Sequence, residues 1–365
     1  MNLQDIENKI CSHIRALGPY VPVEPTDVLS KRISIPEDKI IKLDGNENPY
    51  GTSQEVREAL SRFQYYHHYP DPEQRQLRKT LEKHTGVSAD SIIPGAGSDE
   101  LIELIVKMFL EPGDRVINCI PTFGMYQFCT EVCGGTVVKV LRTENFALDI
   151  PAIKKAMDTR TKIIFIASPN NPSGNVATES EISELLDTQA IVVVDEAYHE
   201  FSKITCVDMR KRYPNLIVLR TFSKWAGLAG LRVGYGFFPE NIVKYLIKIK
   251  QPYNINIAAQ IAAVESLKNI QYLQKTIDLI IAERGHLFNE LGKMDWLKVY
   301  PSQSNFILCK VLRGDAKQIH KALQKKGIFI RYFDTPQLQN YLRFSVGKPE
   351  HTALLVSALN DMVQS

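Results

Sequence analysis

The chain has 365 residues, of which 44% are hydrophobic, and its 44 basic and 41 acidic residues give a net charge of +3. This length suggests two domains, and the apolar content is sufficient for large cores. Basic clusters are short, for example residues 210–212, and no apolar run approaches the length of a membrane span. We therefore expect neither a nucleic-acid partner nor a membrane partner.

The six cysteines are scattered, and none forms a CxxC pair, which argues against a disulfide framework or a metal site. Several lie in apolar runs, where a free thiol packs as a small hydrophobe. Residues 1–8 resemble neither a secretion signal nor an arginine-rich transit peptide. We therefore expect no bound metal and a reducing, cytoplasmic location. The cysteines are at positions 11, 119, 129, 133, 206 and 309.

Helical and strand patterns alternate after an irregular, proline-containing arm that extends to residue 46. Apolar runs near residues 92, 116, 137, 163, 191 and 217, with another at 233–237, predict a mainly parallel sheet with helices on both faces. Beyond residue 254 a long helical stretch, strands near 306, 329 and 343, and a helix from Pro349 predict a smaller α+β domain. The prediction is an α/β protein with three parts. They are an N-terminal arm (1–46) that joins the small domain, a large domain (47–254) and a small C-terminal domain (255–365).

A glycine-containing loop at residues 95–100 lies between a predicted strand and a predicted helix. Ser98 is a favourable helix N-cap, and Gly95 and Gly97 allow backbone N–H groups to approach an anion at the helix N-terminus. A dinucleotide fingerprint needs glycine at the sixth position, which is Glu100 in this chain. The loop therefore predicts a phosphate site and not a dinucleotide site.

Reactive side chains follow two predicted buried strands. Asp195-Glu-Ala-Tyr198 follows one β-branched run, Ser223-Lys224 follows another, and Arg232 comes eight residues after the lysine. Ligands of open α/β sheets bind beyond the carboxyl ends of the strands, so these residues should converge. A lysine for a Schiff base, an acid for a pyridinium nitrogen, a tyrosine for a ring hydroxyl, and an arginine with a serine for a phosphate are the groups that pyridoxal phosphate requires.

A third strand end is predicted at residues 162–167, followed by the loop Ser168-Pro-Asn-Asn171-Pro-Ser-Gly174. By itself this loop is typical of an ordinary turn. Because two other strand ends already carry cofactor-binding groups, Asn171 is expected to bind the ring oxygen of the same cofactor.

Together these motifs resemble the fold-type I, class I/II pyridoxal phosphate-dependent aminotransferases, and the resemblance extends over nearly the whole chain. Within that family the chain is most similar to members that act on histidinol phosphate. The motifs are Leu17-Gly-Pro-Tyr20, Asn46-Glu-Asn-Pro-Tyr50, Tyr69-Pro-Asp71, Gly97-Ser-Asp99, Pro121-Thr-Phe-Gly-Met-Tyr126, the Asn171 loop, Asp195-Glu-Ala-Tyr198, Ser223-Lys224, Arg232, Arg331 and Arg343.

The resemblance implies a role for each of these residues at a pyridoxal phosphate site. Lys224 would form the Schiff base, Asp195 would contact the pyridine nitrogen, and Asn171 and Tyr198 would contact the ring oxygen. Phe123 would stack on the ring. The phosphate would be held by Gly97, Ser98, Asp99, Ser223 and Arg232, and Tyr69 would come from the partner subunit of a homodimer.

Trp225 departs from the family pattern, in which the residue directly after the lysine is more often small. A tryptophan at this position must bury its ring and find a partner for its indole N–H. The departure concerns local packing and not the chemistry of the lysine.

Arg331 and Arg343 lie in two predicted strands, and guanidinium groups suit phosphates and carboxylates. The resemblance implies that both bind the substrate anion, with hydroxyl groups from Tyr20 and Tyr253 and with Asn171 nearby. The anion would alternate between the phosphate of histidinol phosphate and a carboxylate of glutamate, with 2-oxoglutarate as the amino acceptor.

Other functions share parts of this pattern. An aromatic or broad-specificity aminotransferase and a decarboxylase of a phosphorylated amino acid would use the same cofactor, so both stay open. Residues 192–196 resemble a Walker B strand, but the chain has no GxxxxGK[ST] motif, which argues against an ATPase. The joint presence of Lys224, Asp195, Tyr198 and Arg232 argues against a non-catalytic protein that has kept the fold.

Overall fold

Two β-sheets organise the structure, a computed structural model that describes residues 3–18, 20 and 22–363. Pro19, the third residue of the Leu17–Tyr20 motif, lies outside the described residues. The strands are β1 (Ile41–Leu43), β2 (Ile92–Gly95), β3 (Arg115–Ile120), β4 (Thr136–Leu141), β5 (Thr161–Ala167), β6 (Ile191–Asp195), β7 (Leu216–Thr221), β8 (Gly234–Phe237), β9 (Leu297–Val299), β10 (Phe306–Val311), β11 (Ile328–Tyr332) and β12 (Tyr341–Ser345).

Helices connect these strands and cover the sheets. Within the described part of the chain, no helix has both the length and the apolar composition needed to cross a membrane. The α-helices are α1 (Leu3–Glu7), α2 (Ser12–Arg15), α3 (Thr26–Ile33), α4 (Gln54–Arg62), α5 (Arg75–Thr85), α6 (Gly97–Phe109), α7 (Met125–Val132), α8 (Ile150–Ala156), α9 (Glu179–Leu186), α10 (His199–Ser202), α11 (Glu240–Ile249), α12 (Ile257–Lys268), α13 (Ile270–Gly292), α14 (Ala316–Lys325) and α15 (Pro349–Val363).

The larger sheet contains seven strands in the order β2-β8-β7-β6-β5-β3-β4. Strands β7, β6, β5, β3 and β4 are neighbours in that order and run parallel to one another. Strand β8 runs antiparallel to both of its neighbours, β7 and β2. Strand β6 shows why this sheet is covered on both faces, because Val192, Val193 and Val194 are all fully buried. The predicted α/β class and the mainly parallel sheet are confirmed. The carboxyl ends of β3, β5, β6 and β7 share one edge.

The smaller sheet contains five strands in the order β1-β11-β12-β10-β9. Strand β1, from the N-terminal part of the chain, runs parallel to β11, with Ile41 opposite Ile328. Strands β11 and β12 are antiparallel and place Arg331 directly opposite Arg343. The domain boundaries at residues 46 and 254 stay a prediction.

The start of α6 differs from the sequence prediction. The prediction that Ser98 caps this helix is wrong, because the helix begins at Gly97 and the N-cap is Ala96. The Glu100 carboxylate reaches back and accepts the N–H of this N-cap residue, Ala96, at 2.6 Å. Gly97 has a φ of +78°, and a Cβ there would lie 2.6 Å from Nη2 of Arg232. Glycine therefore allows the arginine to lie against the helix N-terminus.

A buried ion pair joins the ends of β6 and β7. Arg220 donates from Nε and Nη2 to Oε2 of Glu196 at 3.0 and 2.9 Å. The other Glu196 oxygen accepts the Cys206 N–H at 2.7 Å. Burial by itself lowers the pKa of Arg220, but the neighbouring acidic groups, Glu196 first among them, together outweigh burial, and the pKa is raised. Arg220 therefore stays charged and is hydrogen-bonded to Glu196 inside the core.

We predict that Arg220→Ala lowers the free energy of unfolding by about 3–5 kcal/mol, because it leaves the Glu196 charge buried without its partner. The matched control is Arg212→Ala, which breaks the exposed Arg212–Glu179 pair of 3.0 Å and should cost below about 1 kcal/mol. Urea unfolding of both variants measures the difference. Equal effects of the two substitutions would contradict the importance of the buried pair.

Candidate active site

A cleft of about 690 Å³ opens between the two sheets. The last residues of four parallel strands line it, namely Ile120, Ala167, Asp195 and Thr221. Its volume is typical of a site for a small molecule. The cleft brings together most of the site residues that the sequence predicts: Tyr20, Ser98, Asp99, Phe123, Asn171, Asp195, Tyr198, Ser223, Lys224, Arg232, Arg331 and Arg343.

Three predicted site residues do not line the cleft, namely Gly97, Tyr69 and Tyr253. Tyr69 and Tyr253 stack on each other with ring centroids 4.4 Å apart, outside the lining of the cleft. The Tyr69 side chain is 81% exposed. The structure of this single chain therefore does not bring either ring to Lys224.

Lys224 lies in the loop after β7 and points into the cleft. Its Nζ donates to the Gly45 carbonyl at 3.1 Å. Burial, assisted by the positive charge of Arg343, lowers the pKa of Lys224 to about 8. A substantial fraction of neutral amine is therefore present near neutral pH, and the neutral amine is the form that attacks a carbonyl.

Asp195 ends β6 and is 4% exposed. Its Oδ2 accepts the Tyr126 hydroxyl at 2.7 Å and its Oδ1 accepts the Ala197 N–H at 3.1 Å. Burial raises the pKa of Asp195 to about 6, although both hydrogen bonds oppose that shift. Since both donors are neutral, this carboxylate is suited to a positively charged group of a ligand.

Arg343 is the corresponding buried cation. It donates from Nη1 to the Asn171 side-chain oxygen at 2.6 Å and from Nη2 to the Asp44 carbonyl at 2.5 Å. Both acceptors are neutral, and Nε is buried without a hydrogen-bond partner among the described residues. Burial lowers the pKa of Arg343 to about 10, which leaves it charged at neutral pH. Arg343, with Arg331 opposite on β11, is suited to an anion.

A second set of anion-binding groups lies at the N-terminus of α6. Arg232 donates from Nη2 to Oδ2 of Asp99 at 3.0 Å and from Nη1 to Oγ of Ser223 at 3.4 Å. Ser98, in the first turn of the helix, is buried and lines the cleft. The helix N-terminus, the guanidinium and the hydroxyl together suit a phosphate.

Aromatic and amide groups complete the walls of the cleft. The Tyr198 hydroxyl accepts the side-chain N–H of Asn46 at 3.0 Å, and burial raises the pKa of Tyr198 to about 12. Phe123 packs edge-on against Tyr126 with ring centroids 5.7 Å apart. The tyrosine hydroxyl therefore stays protonated and serves as a hydrogen-bonding group.

The sequence reasoning missed the roles of Tyr126, Asn46 and Asn170. Tyr126 and Asn46 appeared only as parts of motifs, without an assigned contact. The sequence reasoning assigned a contact to Asn171 and none to Asn170. The Asn170 side chain is fully buried and bonds to Thr122 at 2.7 Å and to the Pro121 carbonyl at 3.1 Å. The two consecutive asparagines were the one feature of the sequence that could have indicated a second role in this loop. Asn170 bonds to the loop after β3, and Asn171 lines the cleft.

Trp225 packs beneath the lysine loop. Its ring is fully buried, and its indole N–H donates to the Thr221 carbonyl at 2.8 Å. Asn48 donates to the Trp225 carbonyl at 2.7 Å. The tryptophan therefore satisfies its polar group locally and holds the turn that presents Lys224.

Comparison with known proteins gives consistent matches over nearly the whole chain. Residues 38–359 match the family described as aminotransferase class I and II. A histidinol-phosphate aminotransferase of Dehalococcoides mccartyi is 52% identical over 324 residues, which cover 89% of this chain and 90% of the relative. A chloroplastic histidinol-phosphate aminotransferase of Nicotiana tabacum is 47% identical over 350 residues, which cover 95% of this chain and 85% of the relative.

A solved structure agrees with these sequence matches. Histidinol-phosphate aminotransferase from Sinorhizobium meliloti, in complex with pyridoxal-5'-phosphate, superposes with a TM-score of 0.89. It is 25% identical to this chain, and the alignment covers 98% of both chains.

We predict that Lys224 of the cofactor-free protein reacts with a small amine-selective reagent with a pH midpoint near 8, because only the deprotonated amine is nucleophilic. An ordinary lysine would have a midpoint near about 10.4. Peptide mass spectrometry after brief labelling at increasing pH measures the midpoint, and Lys224→Arg identifies the signal. A midpoint above about 10 would contradict the effect of burial.

Proposed function

This chain belongs to the class I and II aminotransferase family, as its motifs predict, and from that membership we propose that it transfers the amino group of L-histidinol phosphate to 2-oxoglutarate. The products are imidazole acetol phosphate and glutamate, in a step of histidine biosynthesis, and the cofactor is pyridoxal phosphate. The observation that carries the proposal is the convergence of Lys224, Asp195 and Arg343 on one cleft. The names of relatives that are 47–52% identical support the choice of substrate.

The residues of the cleft fit pyridoxal phosphate, which carries an aldehyde, a pyridine nitrogen, a phenolic oxygen and a phosphate. Lys224 supplies an amine with a lowered pKa for the aldehyde. Asp195 supplies a buried carboxylate, bonded only to neutral donors, for the nitrogen. The remaining groups are Asn171 and Tyr198 for the ring oxygen, Phe123 for the ring face, and Gly97, Ser98, Asp99, Ser223 and Arg232 for the phosphate.

When bound, pyridoxal phosphate takes up the electron pair released at the amine-bearing carbon of the substrate. Lys224 is the base and acid of the reaction: Nζ accepts the proton from that carbon and later returns a proton. Asp195 holds its negative charge beside the ring nitrogen and so keeps a proton there. Tyr198 stays protonated and donates its hydroxyl hydrogen to the ring oxygen.

The substrate anion binds where the smaller sheet lines the cleft. Arg343 presents a buried guanidinium whose Nε has no partner among the described residues, and Arg331 lies beside it on the neighbouring strand. These arginines bind the phosphate of histidinol phosphate in one half of the cycle and a carboxylate of 2-oxoglutarate or glutamate in the other. Tyr20, which also lines the cleft, adds a hydroxyl donor.

The protein acts as a homodimer with shared active sites in this proposal. The support is the exposed aromatic segment at residues 65–69, in which Tyr65, Tyr66 and Tyr69 are 58%, 52% and 81% exposed. Large aromatic rings in one exposed group are typical of a contact surface. Tyr69, with Tyr253 stacked on it, would reach the cleft of the partner subunit.

A reducing compartment such as the cytoplasm is the proposed location. All six cysteines are free thiols in the structure, and four of them, Cys119, Cys129, Cys206 and Cys309, are buried. Free buried thiols are typical of proteins that function in a reducing environment.

We predict that the cofactor-loaded protein, mixed with histidinol phosphate and no keto acid, converts its cofactor from the aldehyde form to the amine form within one turnover. Stopped-flow absorbance measures the conversion, and phenylalanine serves as the competing donor. Equal rates with phenylalanine would indicate a broad aromatic aminotransferase. Release of carbon dioxide from a phosphorylated amino acid would indicate a decarboxylase.

We predict that Lys224→Ala and Tyr69→Ala are each nearly inactive, and that a mixture of the two regains activity. In a mixed dimer, one site receives the intact lysine from one subunit and the intact tyrosine from the other. Random exchange of equal amounts should restore about a quarter of the wild-type activity, because half of the dimers are mixed and each has one complete site. Mixtures that stay inactive after exchange, or a fully active monomer by light scattering, would contradict the shared site.

A further inference from the structure

Tyr126 is fully buried, belongs to the lining of the cleft and contacts the key acid, Asp195. Its hydroxyl donates to Oδ2 of Asp195 at 2.7 Å. Its ring is stacked parallel to Phe165, a residue of β5, with centroids 4.8 Å apart and an interplanar angle of 3°. The Phe123 ring packs edge-on against it, and the Thr130 hydroxyl donates to the Tyr126 carbonyl at 2.6 Å. The hydroxyl is therefore held in one position by packing on both sides.

The direction of this hydrogen bond matters for the proton between Asp195 and a pyridine nitrogen. That proton lies either on the nitrogen, giving a carboxylate and a pyridinium, or on the acid, giving two neutral groups. A donor to the carboxylate stabilises the charged arrangement. Because burial alone favours the neutral acid, the two donors to Asp195 oppose the effect of its surroundings.

Of the two donors, the Tyr126 hydroxyl forms the shorter bond, at 2.7 Å against 3.1 Å for the Ala197 N–H. It is also the one that a side-chain substitution removes, since the other belongs to the backbone. Tyr126→Phe deletes a single oxygen atom and keeps the ring that packs on Phe165.

We propose that Tyr126 is a positioning residue that keeps Asp195 ionised and thereby keeps the proton on the ring nitrogen of the bound cofactor. This inference rests on the proposed function, because it assigns Tyr126 a part in the same site. In this assignment Tyr126 acts through Asp195 and exchanges no proton with the substrate.

A purely structural role for Tyr126 predicts a different effect of the Tyr126→Phe substitution. If the tyrosine only filled the core, Tyr126→Phe would change the stability of the cofactor-free protein and leave the ring nitrogen unchanged. The proton on the nitrogen is therefore the quantity that separates the two roles.

The test is nitrogen-15 NMR of the holoenzyme loaded with cofactor labelled at the ring nitrogen. In wild type we expect the shift of a protonated pyridine, and in Tyr126→Phe a clear displacement toward the shift of a neutral pyridine. We expect kcat to fall about tenfold, as for loss of a hydrogen bond to a charged group, with KM for histidinol phosphate changed less than about twofold. The matched control is Tyr213→Phe, which removes a hydroxyl bonded to Ser183 at 2.8 Å and should change neither value.

A double-mutant cycle with Asp195→Asn tests the route of the effect. Asp195→Asn by itself should lower kcat at least about tenfold while some cofactor stays bound. Tyr126→Phe should add nothing in that background, since the amide cannot hold the negative charge that Tyr126 stabilises. A further loss of similar size there would overturn the inference, because Tyr126 would then act independently of Asp195.

The outcomes also separate this inference from the proposed function. A wild-type protein that binds no labelled cofactor or does not convert histidinol phosphate contradicts the proposed function and removes the basis of the inference. An active wild type, with the same nitrogen shift and kcat in Tyr126→Phe, overturns the inference alone. Thermal unfolding of the cofactor-free variant shows whether the substitution has altered the fold.

Discussion

The ion pair of Arg220 and Glu196 is the constraint on which the rest of the site depends. Asp195 directly precedes Glu196, and Lys224 lies four residues after Arg220, so the pair links the segments that carry both groups. Two buried charges are tolerated only when each is well paired and hydrogen-bonded. Since a shift of either strand would break that arrangement, the pair favours one relative position of the acid and the lysine. This position is the geometry that the cleft requires.

The cleft itself contains two buried charged groups, and the hydrogen bonds to each come from neutral groups. Asp195 is bonded to neutral donors, and Arg343 is bonded to neutral acceptors. Each charge is stabilised by dipoles, but neither is neutralised by the groups that bond to it. A ligand with a cationic nitrogen at one end and an anion at the other complements both. Lys224 lines the same cleft, and the charge of Arg343 helps to lower its pKa.

The fold was largely predictable because its strands are short apolar runs that end at turns. Strands from β2 to β8 and from β10 to β12 were located from these runs. Strands β1 and β9 were missed, since each has only three residues, too few for its alternation of apolar and polar residues to predict a strand. The helix cap at Ser98 was predicted wrongly, because the helix begins one residue earlier, at Gly97, and Ala96 is its N-cap.

The sequence by itself determined which residues follow parallel strands, and this order along the chain is sufficient to place Asp195, Lys224 and Asn171 at one edge of the sheet. Only the tertiary structure decided which side chains meet. The bond between Arg343 and Asn171 joins residues 172 positions apart, and the bond between Asn46 and Tyr198 joins residues 152 apart. Tyr126 reaches Asp195 across 69 positions. Strand periodicity specifies the face on which a side chain lies, whereas a hydrogen bond depends on distances of a few tenths of an ångström, which the packing of the whole chain sets.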